Sequence, residues 1–445
     1  MNVYITISNV GADAGPFNLY SDVDGYISAF ETNIPKAILE AGYSTNLVPE
    51  GTLEIRIQSV NELCNNYVNV GTIPLEYYFE PNPGAYVIDF LDNGTFAYVY
   101  GYFSGYFNGS YTVPGNLLVK LNINTSVDTS FDIGEGFNLG IVYTGATLFQ
   151  QTDGKLILSG FYTSFNGVSA NRIIRLNTDG SRDNTFNVGT GFNNYTTKIA
   201  VEPTTNKMYI TGLYSTYNGI SSPRLVRLLS DGSYDSSFVV GSGFNNTSID
   251  VIVNTDGTIY VTGYFTVYNG VGAPKIIKLN PDGTKDTSFN PGTGFNVGNL
   301  PVALARISGE DNFFCAGYFT TYNGIPAPQI VKLDSTGAIV PTSEFDPGTG
   351  FNGDIGTIKI IWNDKIYLTP GDGGGGEFTS YNGTSTFGSP IILNKDGTIL
   401  QAWSVGYANV YIIGNNVYGS PIAGGANQLI YVYDPLVTTT TTTTI

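Results

Sequence analysis

The feature that most limits how this chain can fold is a block that recurs six times. The string GYFTVYNG begins at Gly263, and near-copies begin at Gly160 (GFYTSFNG), Gly212 (GLYSTYNG), Gly317 (GYFTTYNG) and Gly376 (GEFTSYNG). A sixth, GYFSGYFNG from Gly101, carries one inserted residue. Marked by their Asn-Gly pairs at Asn108, Asn166, Asn218, Asn269, Asn323 and Asn382, the copies are spaced by 58, 52, 51, 54 and 59 residues. Self-similarity at such a period signals a repeat architecture.

Each block has one internal order. In residues 247–297 an apolar run, Ile249 to Val253, meets a turn at Asp256-Gly257. A second run, Thr258 to Tyr264, passes through Asn269-Gly270 to a third, Lys275 to Leu279. A second turn at Asp282-Gly283 leads to a short fourth run ending in Ser288-Phe289, and the block closes on Pro-Gly-Thr-Gly-Phe-Asn, 291–296. Asp-Gly and Asn-Gly between β-rich runs are hairpin chemistry, because both residues accept φ > 0. The expectation is four short antiparallel strands per block and no helix. A sheet of about 50 residues cannot bury both faces alone, and stacking copies around an axis does so, which predicts a β-propeller.

Full units run over 84–139, 140–194, 195–246, 247–297, 298–353 and 354–408. Residues 409–435 hold three more strands and no fourth, whereas LEYYFEPNP at 75–83 echoes a unit's closing segment. The fold class expected is therefore all-β: a seven-bladed propeller of six full repeats and one composite blade. That blade would take three strands from 409–435 and its outer strand from 75–80, which removes free edges. Six blades with an appended hairpin is the alternative.

The domains read as 1–73, a β-rich adaptor; 74–436, the propeller; and 437–445, a tail with seven consecutive Thr from 438 to 444. Residues 1–73 do not repeat and carry a net charge of −6. They read as strands Asn2 to Ser8, Thr52 to Ser59 and Tyr67 to Gly71 around a helical piece, Lys36 to Ala41.

Composition removes several functions. The chain of 445 residues has 19 Lys+Arg, 36 Asp+Glu and no His, for a net charge of −17. Without His there is no Ser-His-Asp triad and no His general base or zinc ligand. The net charge argues against nucleic acid and anionic lipid as partners unless charge is strongly segregated. No apolar run approaches the ~18 residues of a membrane span, so no membrane insertion is expected. MNVYITISNV shows neither a basic n-region nor an h-region, so no signal peptide is read. Cys64 and Cys315 read as two free thiols of a protein made in a cytosol.

The unit resembles the delta-sixty repeat family of β-propellers, whose copies carry G-x-F-x-x-Y-N-G and D-x-S-F-N-P-G-x-G-F-N segments. The resemblance covers 84–408. The sixth unit departs, with Gln401-Ala402-Trp403-Ser404 for D-x-S-F, and the fifth has Pro341-Thr342-Ser343-Glu344-Phe345. In residues 1–73 the stretches Gly11 to Tyr20 and Val48 to Thr52, with Cys64, are similar to a domain heading virion proteins of crAss-like tailed phages, and the Thr tail is similar to ends found in the same phages. This resemblance implies a structural component of a tailed-phage virion (tail fibre, collar or head fibre), assembled in the host bacterial cytoplasm. It would contact other virion proteins through residues 1–73 and the tail, form a homo-oligomer in the particle, and contribute to host-surface attachment through a glycan. The alternatives are a polysaccharide-degrading enzyme on the particle and an architectural connector without a receptor.

Candidate sites follow from what breaks the repeat. Tyr264, Phe265, Tyr268 and their equivalents recur in every unit and read as core. Tyr195, Tyr367 and Trp403 break the pattern and are the candidate ligand-facing aromatics. The Asp-rich turns Asn177 to Asp183 and Asn280 to Asp286 read as hairpin turns rather than calcium loops, since no Glu closes them; no metal or cofactor is expected. Lys120, Arg175, Arg227, Lys278 and Lys332 share one position and Asp128, Asp183, Asp235 and Asp286 another, which reads as a repeated ion pair of the weak exposed kind. Ile392 takes the cation's place in the sixth unit. Glu202, Asp250, Glu310 and Asp354 lie near first strands, but no catalytic pair stands out among them. The chain is read as a non-enzyme.

Overall fold

The structure is a computed structural model. It describes residues 3–5, 15–41, 43–45, 47, 49, 54–60, 67–71, 86–92, 96–102, 106–107, 112–113, 118–122, 128–139, 147–296, 302–361, 364–371, 376–402, 407–413 and 416–421.

The third unit shows how a block folds. Thr196–Val201, Met208–Gly212 and Leu225–Leu228 form a three-stranded antiparallel sheet in that order, with Ile210 opposite both Ile199 and Val226. All of Met208–Gly212 is buried. A strand apolar on both faces needs cover on both faces, and neighbouring units supply it. Ile157 and Ile173 of the second unit pack in one cluster with Ile199, Met208, Ile210 and Val226 of the third. The same arrangement joins the fourth and fifth units through Tyr260, Ile276, Phe313 and Val331. The core thus lies between consecutive sheets rather than inside any one of them.

The expected fourth strand is reduced in units two to five to a single bridge: Leu176–Arg182, Leu228–Tyr234, Leu279–Lys285 and Leu333–Ile339. In the third unit the cause is local. Asp235 Oδ1 accepts from Ser237 N and Oγ, at 3.0 and 2.6 Å, which curls the chain away from the sheet after one pairing. Asp183 with Thr185 and Asp286 with Ser288 repeat the turn. Among the described residues the sixth unit alone pairs four full strands, Ile355–Ile361, Lys365–Pro370, Ile391–Leu393 and Ile399–Ala402.

A second departure concerns Asn-Gly. It does not simply join runs two and three. It tips a separate two-stranded arm, Thr216–Tyr217 with Ile220–Ser221 in the third unit and Val267–Tyr268 with Val271–Gly272 in the fourth. The tip Asn residues 166, 218, 269, 323 and 382 all have φ between 45° and 48°, the left-handed region that Asn tolerates.

First strands of successive units lie side by side: Tyr86–Asp92, Thr147–Gln150, Thr196–Val201, Ser248–Val253, Val302–Ala305 and Ile355–Ile361. Tyr407–Ile413, hairpinned to Asn416–Pro421, lies against Tyr86–Asp92. The other two pieces of the expected composite blade, residues 75–80 and the strand after 421, lie outside the described residues, as do Cys64 and the Thr tail.

Near the start of the chain, Ala29–Ile34, Phe17–Ser21, Glu54–Ser59 and Tyr67–Gly71 form a four-stranded antiparallel sheet. Its buried side includes Phe17, Leu19, Ile34, Ile55 and Ile57. The helix Lys36–Ala41 stands where the sequence places it, and Leu39 is buried. Phe17–Ser21 and Ala29–Ile34 were not expected as strands. Phe17–Ser21 does alternate, with Phe17, Leu19 and Ser21 buried, whereas the two bulges in the pairing fall on Ala29–Ile34, which shows no alternation.

Candidate functional site

The chemistry-bearing residues fall on two ends of the sheets. Because strands one to three are antiparallel, the Asp-Gly turns sit at one end and the Asn-Gly arms at the other.

At the arm end, the closing Gly-Phe-Asn of units one to five plugs into the next unit's arm. Phe192 packs between Tyr214 and Tyr217, at centroid distances of 4.4 and 4.7 Å. Phe244 does the same with Phe265 and Tyr268, at 4.2 and 4.7 Å, and Phe295 with Phe319 and Tyr322, at 4.6 and 4.9 Å. The repeated aromatics are therefore core, as read from sequence, except that Tyr264 is half-buried while Phe265 and Tyr268 are buried. The Asn that follows acts as a latch. Asn245 Oδ1 accepts from Thr266 N and Val267 N at 2.9 and 3.0 Å, and its Nδ2 donates to Thr266 Oγ1 at 3.0 Å. Asn138, Asn193, Asn296 and Asn352 repeat these bonds. Asn245→Ala is expected to cost about 1–2 kcal/mol, and hydrogen exchange should show the Thr266 and Val267 amides exchanging faster, with the central strand Ile259–Gly263 still protected.

At the turn end, a second tie crosses the same boundary. The backbone N–H groups of Asp132, Asn187, Val239, Asn290 and Asp346 donate to the carbonyls of Asp179, Asp231, Asp282, Thr336 and Asp396 of the next unit. In the turns themselves Asp179 and Asp282 are engaged by Ser181 and Thr284, which is hairpin chemistry. Among the described residues no group of three or more Cys, Asp or Glu could hold a metal ion.

The repeated ion pairs are present: Lys120–Asp128 at 2.7 Å, Arg175–Asp183 and Arg227–Asp235 at 2.8 Å, and Lys278–Asp286 at 3.1 Å. They are not the exposed pairs expected. Arg227 is 4% exposed and Asp235 6%. Arg227 also reaches Ser237 Oγ, Tyr209 Oη and, across the unit boundary, the Pro281 carbonyl. Arg175 likewise donates to Ser230 O at 2.7 Å. Side-chain length decides this, since only a guanidinium spans its own acid and the next unit's turn together. The fifth unit has Val340 at the acid's position, and Lys332 turns instead to Glu310 and Glu344, at 2.9 and 2.8 Å. In the sixth, Ile392 and Leu400 replace cation and acid together, and Tyr367 lies opposite Ile392.

Burial pushes the Asp183 and Asp235 carboxyls up, but bonds from Lys155, Thr185 and Arg175, and from Ser237, Lys207 and Arg227, outweigh it and hold both well below the usual carboxylate range. A depressed folded-state pKa means the stabilisation is complete above the unfolded value of about 4 and is lost as pH falls below it. Urea unfolding midpoints should drop steeply from pH 4 to pH 2 (roughly the window between the two states), and Asp235→Asn should flatten that limb.

The candidate aromatics separate. Tyr195 is half-buried at the arm end, its ring 5.9 Å from that of Phe161. Tyr367 is 1% exposed on the central strand of the sixth unit. It faces the apolar Ile392 instead of a ligand, which corrects its assignment. Trp403 lies outside the described residues.

The four carboxylates do not form an acid–base pair. Glu202 accepts from Thr205 Oγ1. Asp250 accepts from its own neighbour Val251 N at 2.7 Å and from Leu304 N of the next unit at 2.8 Å. Asp354 is buried beside Gly376, whose carbonyl accepts from its N–H. Glu310 borders a polar cleft of about 550 Å³ with Lys332, Glu344 and Asp396. Lys332 holds Glu344 below the usual carboxylate range, the opposite of what a general acid needs. Cys315 is buried and free, and burial pushes its thiol up.

Residues 151–186, 205–238, 255–289 and 315–339 match the model of a domain of unknown function, DUF5122, described as a β-propeller. The chain is a β-propeller repeat protein. The matched stretches sit in the second to fifth units of the propeller. No curated protein matches the sequence. Among solved structures it is similar to a gluconolactonase of Xanthomonas campestris, with 14% identity over 65% of this chain and 88% of that one and a TM-score of 0.34. Among the described residues of the propeller and the segment before it, no helix is long and apolar enough to cross a membrane.

Proposed function

We propose that this propeller closes as a seven-bladed ring and serves as a non-catalytic structural component of a tailed-phage virion, displaying one face of the ring for host-surface attachment. The observation that carries the ring is the position of Tyr407–Ile413 against Tyr86–Asp92. In a closed ring that contact would join the last inner strand to the first and give seven inner strands. The composite blade would be completed by residues 75–80. Double ties at each unit boundary support a rigid platform, and a rigid platform suits recognition by shape with avidity from many copies in a particle. The virion role itself rests on the resemblance of residues 1–73 and the Thr tail. Through these segments the chain would meet other virion proteins, as a homo-oligomer.

Cross-linking mass spectrometry on purified particles tests this. Expected are cross-links from Lys36 to another particle protein. Absence of the chain from purified particles overturns the reading.

A further inference from the structure

We propose that the arm-bearing face of units two to five binds an anionic polysaccharide of the uronate kind. The inference deepens the attachment role and rests on it.

Charge on this chain is segregated by face. Segments 160–172, 189–197, 212–224, 241–249, 263–275, 292–296, 317–329 and 348–353 build the arm end of these units. They contain Arg172, Arg224 and Lys275 and not one Asp or Glu, in a chain of net charge −17. The turns at the opposite end carry Asp153, Asp179, Asp231, Asp256, Asp282 and Asp334. The pattern stops at Glu135 in the first unit and at Asp354 and Glu377 in the sixth.

Arg172 and Arg224 are not committed to acids. Lys155, Arg175, Lys207, Arg227, Lys278 and Lys332 all hold carboxylates. Arg172 and Arg224 instead donate through Nη1 to neutral carbonyls, Phe192 O at 2.9 Å and Phe244 O at 2.7 Å. No carboxylate pairs with either among the described residues, so each guanidinium keeps its charge for something outside the chain.

Aromatic surface lies beside them. Gly160 N donates to Arg172 O at 3.2 Å, and the next residue, Phe161, is 38% exposed with Tyr195 beside it. In the fifth unit Gly317 N donates to Gln329 O at 3.0 Å, and Tyr318 is 38% exposed. These rings and the polar side chains of Arg172, Arg224, Lys275 and Gln329 form a track, with Leu213 at the ring position in the third unit. Apolar pyranose faces stack on such rings, and carboxylates take charge-assisted bonds from guanidinium. A polynucleotide would also stack on rings. Polynucleotide binding draws its affinity chiefly from many phosphate contacts, whereas this face supplies three cations, Arg172, Arg224 and Lys275, and stacking of pyranose faces needs no charge neutralisation.

The chain supplies its own conservative substitution. Gln329 stands where Arg172 and Arg224 stand, and its amide nitrogen donates to Phe351 O, the same tie without the charge. Arg172→Gln with Arg224→Gln should therefore keep the fold and remove the positive charge. Isothermal titration of the full chain with tetragalacturonate is expected to show binding that weakens as salt rises. The double variant should bind about tenfold less tightly or worse, with an unchanged unfolding midpoint. Phe161→Ala with Tyr195→Ala should weaken binding by a similar factor, and neutral maltotetraose should bind the wild type more weakly than tetragalacturonate. The inference is overturned if folded wild-type protein does not bind tetragalacturonate, if the Gln variant binds it as well as wild type, or if oligo-dT binds more tightly. Any of these with the chain still present in purified particles removes this site and leaves the structural role standing.

Discussion

Arg227→Ala is expected to lower the stability of the ring by about 3–5 kcal/mol, read as a drop in the urea unfolding midpoint. The side chain is buried, and removing it strands Asp235 with only Lys207 and the Ser237 turn as partners. It also removes the bond to Pro281 O that crosses into the next unit. The chain contains two natural comparisons. Lys278 fills the equivalent position and holds Asp286, so Arg227→Lys should recover part of the loss but not the inter-unit bond. Ile392 with Leu400 fills it in the sixth unit, so Arg227→Ile combined with Asp235→Leu should cost less than Arg227→Ala alone, since replacing both partners leaves no buried charge behind. If the double replacement is the worse variant, the ion pair is not exchangeable in the way the sixth unit suggests.

Gly294→Ala is expected to cost about 3 kcal/mol or more. Gly294 sits at φ +69°, and a Cβ there would overlap the backbone oxygen of Pro274, which no rotamer change can relieve. It also lies beside Phe295, so the displacement would withdraw that ring from Phe319 and Tyr322. Gly270 is the control. Its φ is +77°, but a Cβ there meets nothing within 4 Å, so Gly270→Ala should cost only about 1 kcal/mol. Equal losses at the two positions would mean that dihedral strain alone matters and that the plug into the next unit contributes nothing.

Much of this was legible in the residues. Repetition of Gly-x-Phe-x-x-Tyr-Asn-Gly located every arm, and repetition made Phe265 and Tyr268 core rather than platforms. The Lys/Arg and Asp positions were legible as partners because they recur at matched places in successive copies. Three things were not. The burial of Arg175 and Arg227 depends on the neighbouring unit's turn, which no single block contains. The fourth run looked like a strand because its composition is β-prone, yet Asp235 and Ser237 spend their hydrogen-bonding groups on a turn. Tyr367 was read as a ring that breaks the repeat, yet it stands at the repeated position of Tyr98, Tyr209 and Tyr260, with Ile392 opposite where they have Lys120, Arg227 and Lys278. The acid-free face was in the sequence throughout, but only the arms' common placement gathers those segments into one surface.

The plug-and-latch boundary also bears on how such a chain can grow. The first five blocks each carry a socket, the arm, and a plug, the Gly-Phe-Asn terminus. An in-frame tandem copy of one block therefore arrives with both halves of the joint already matched, and its new neighbours need no compensating substitutions. Lengthening by duplication is thus chemically inexpensive at every internal boundary. In a closed ring the resistance to it would be confined to the seam between the first and last inner strands, where the circumference would have to accommodate an added wedge.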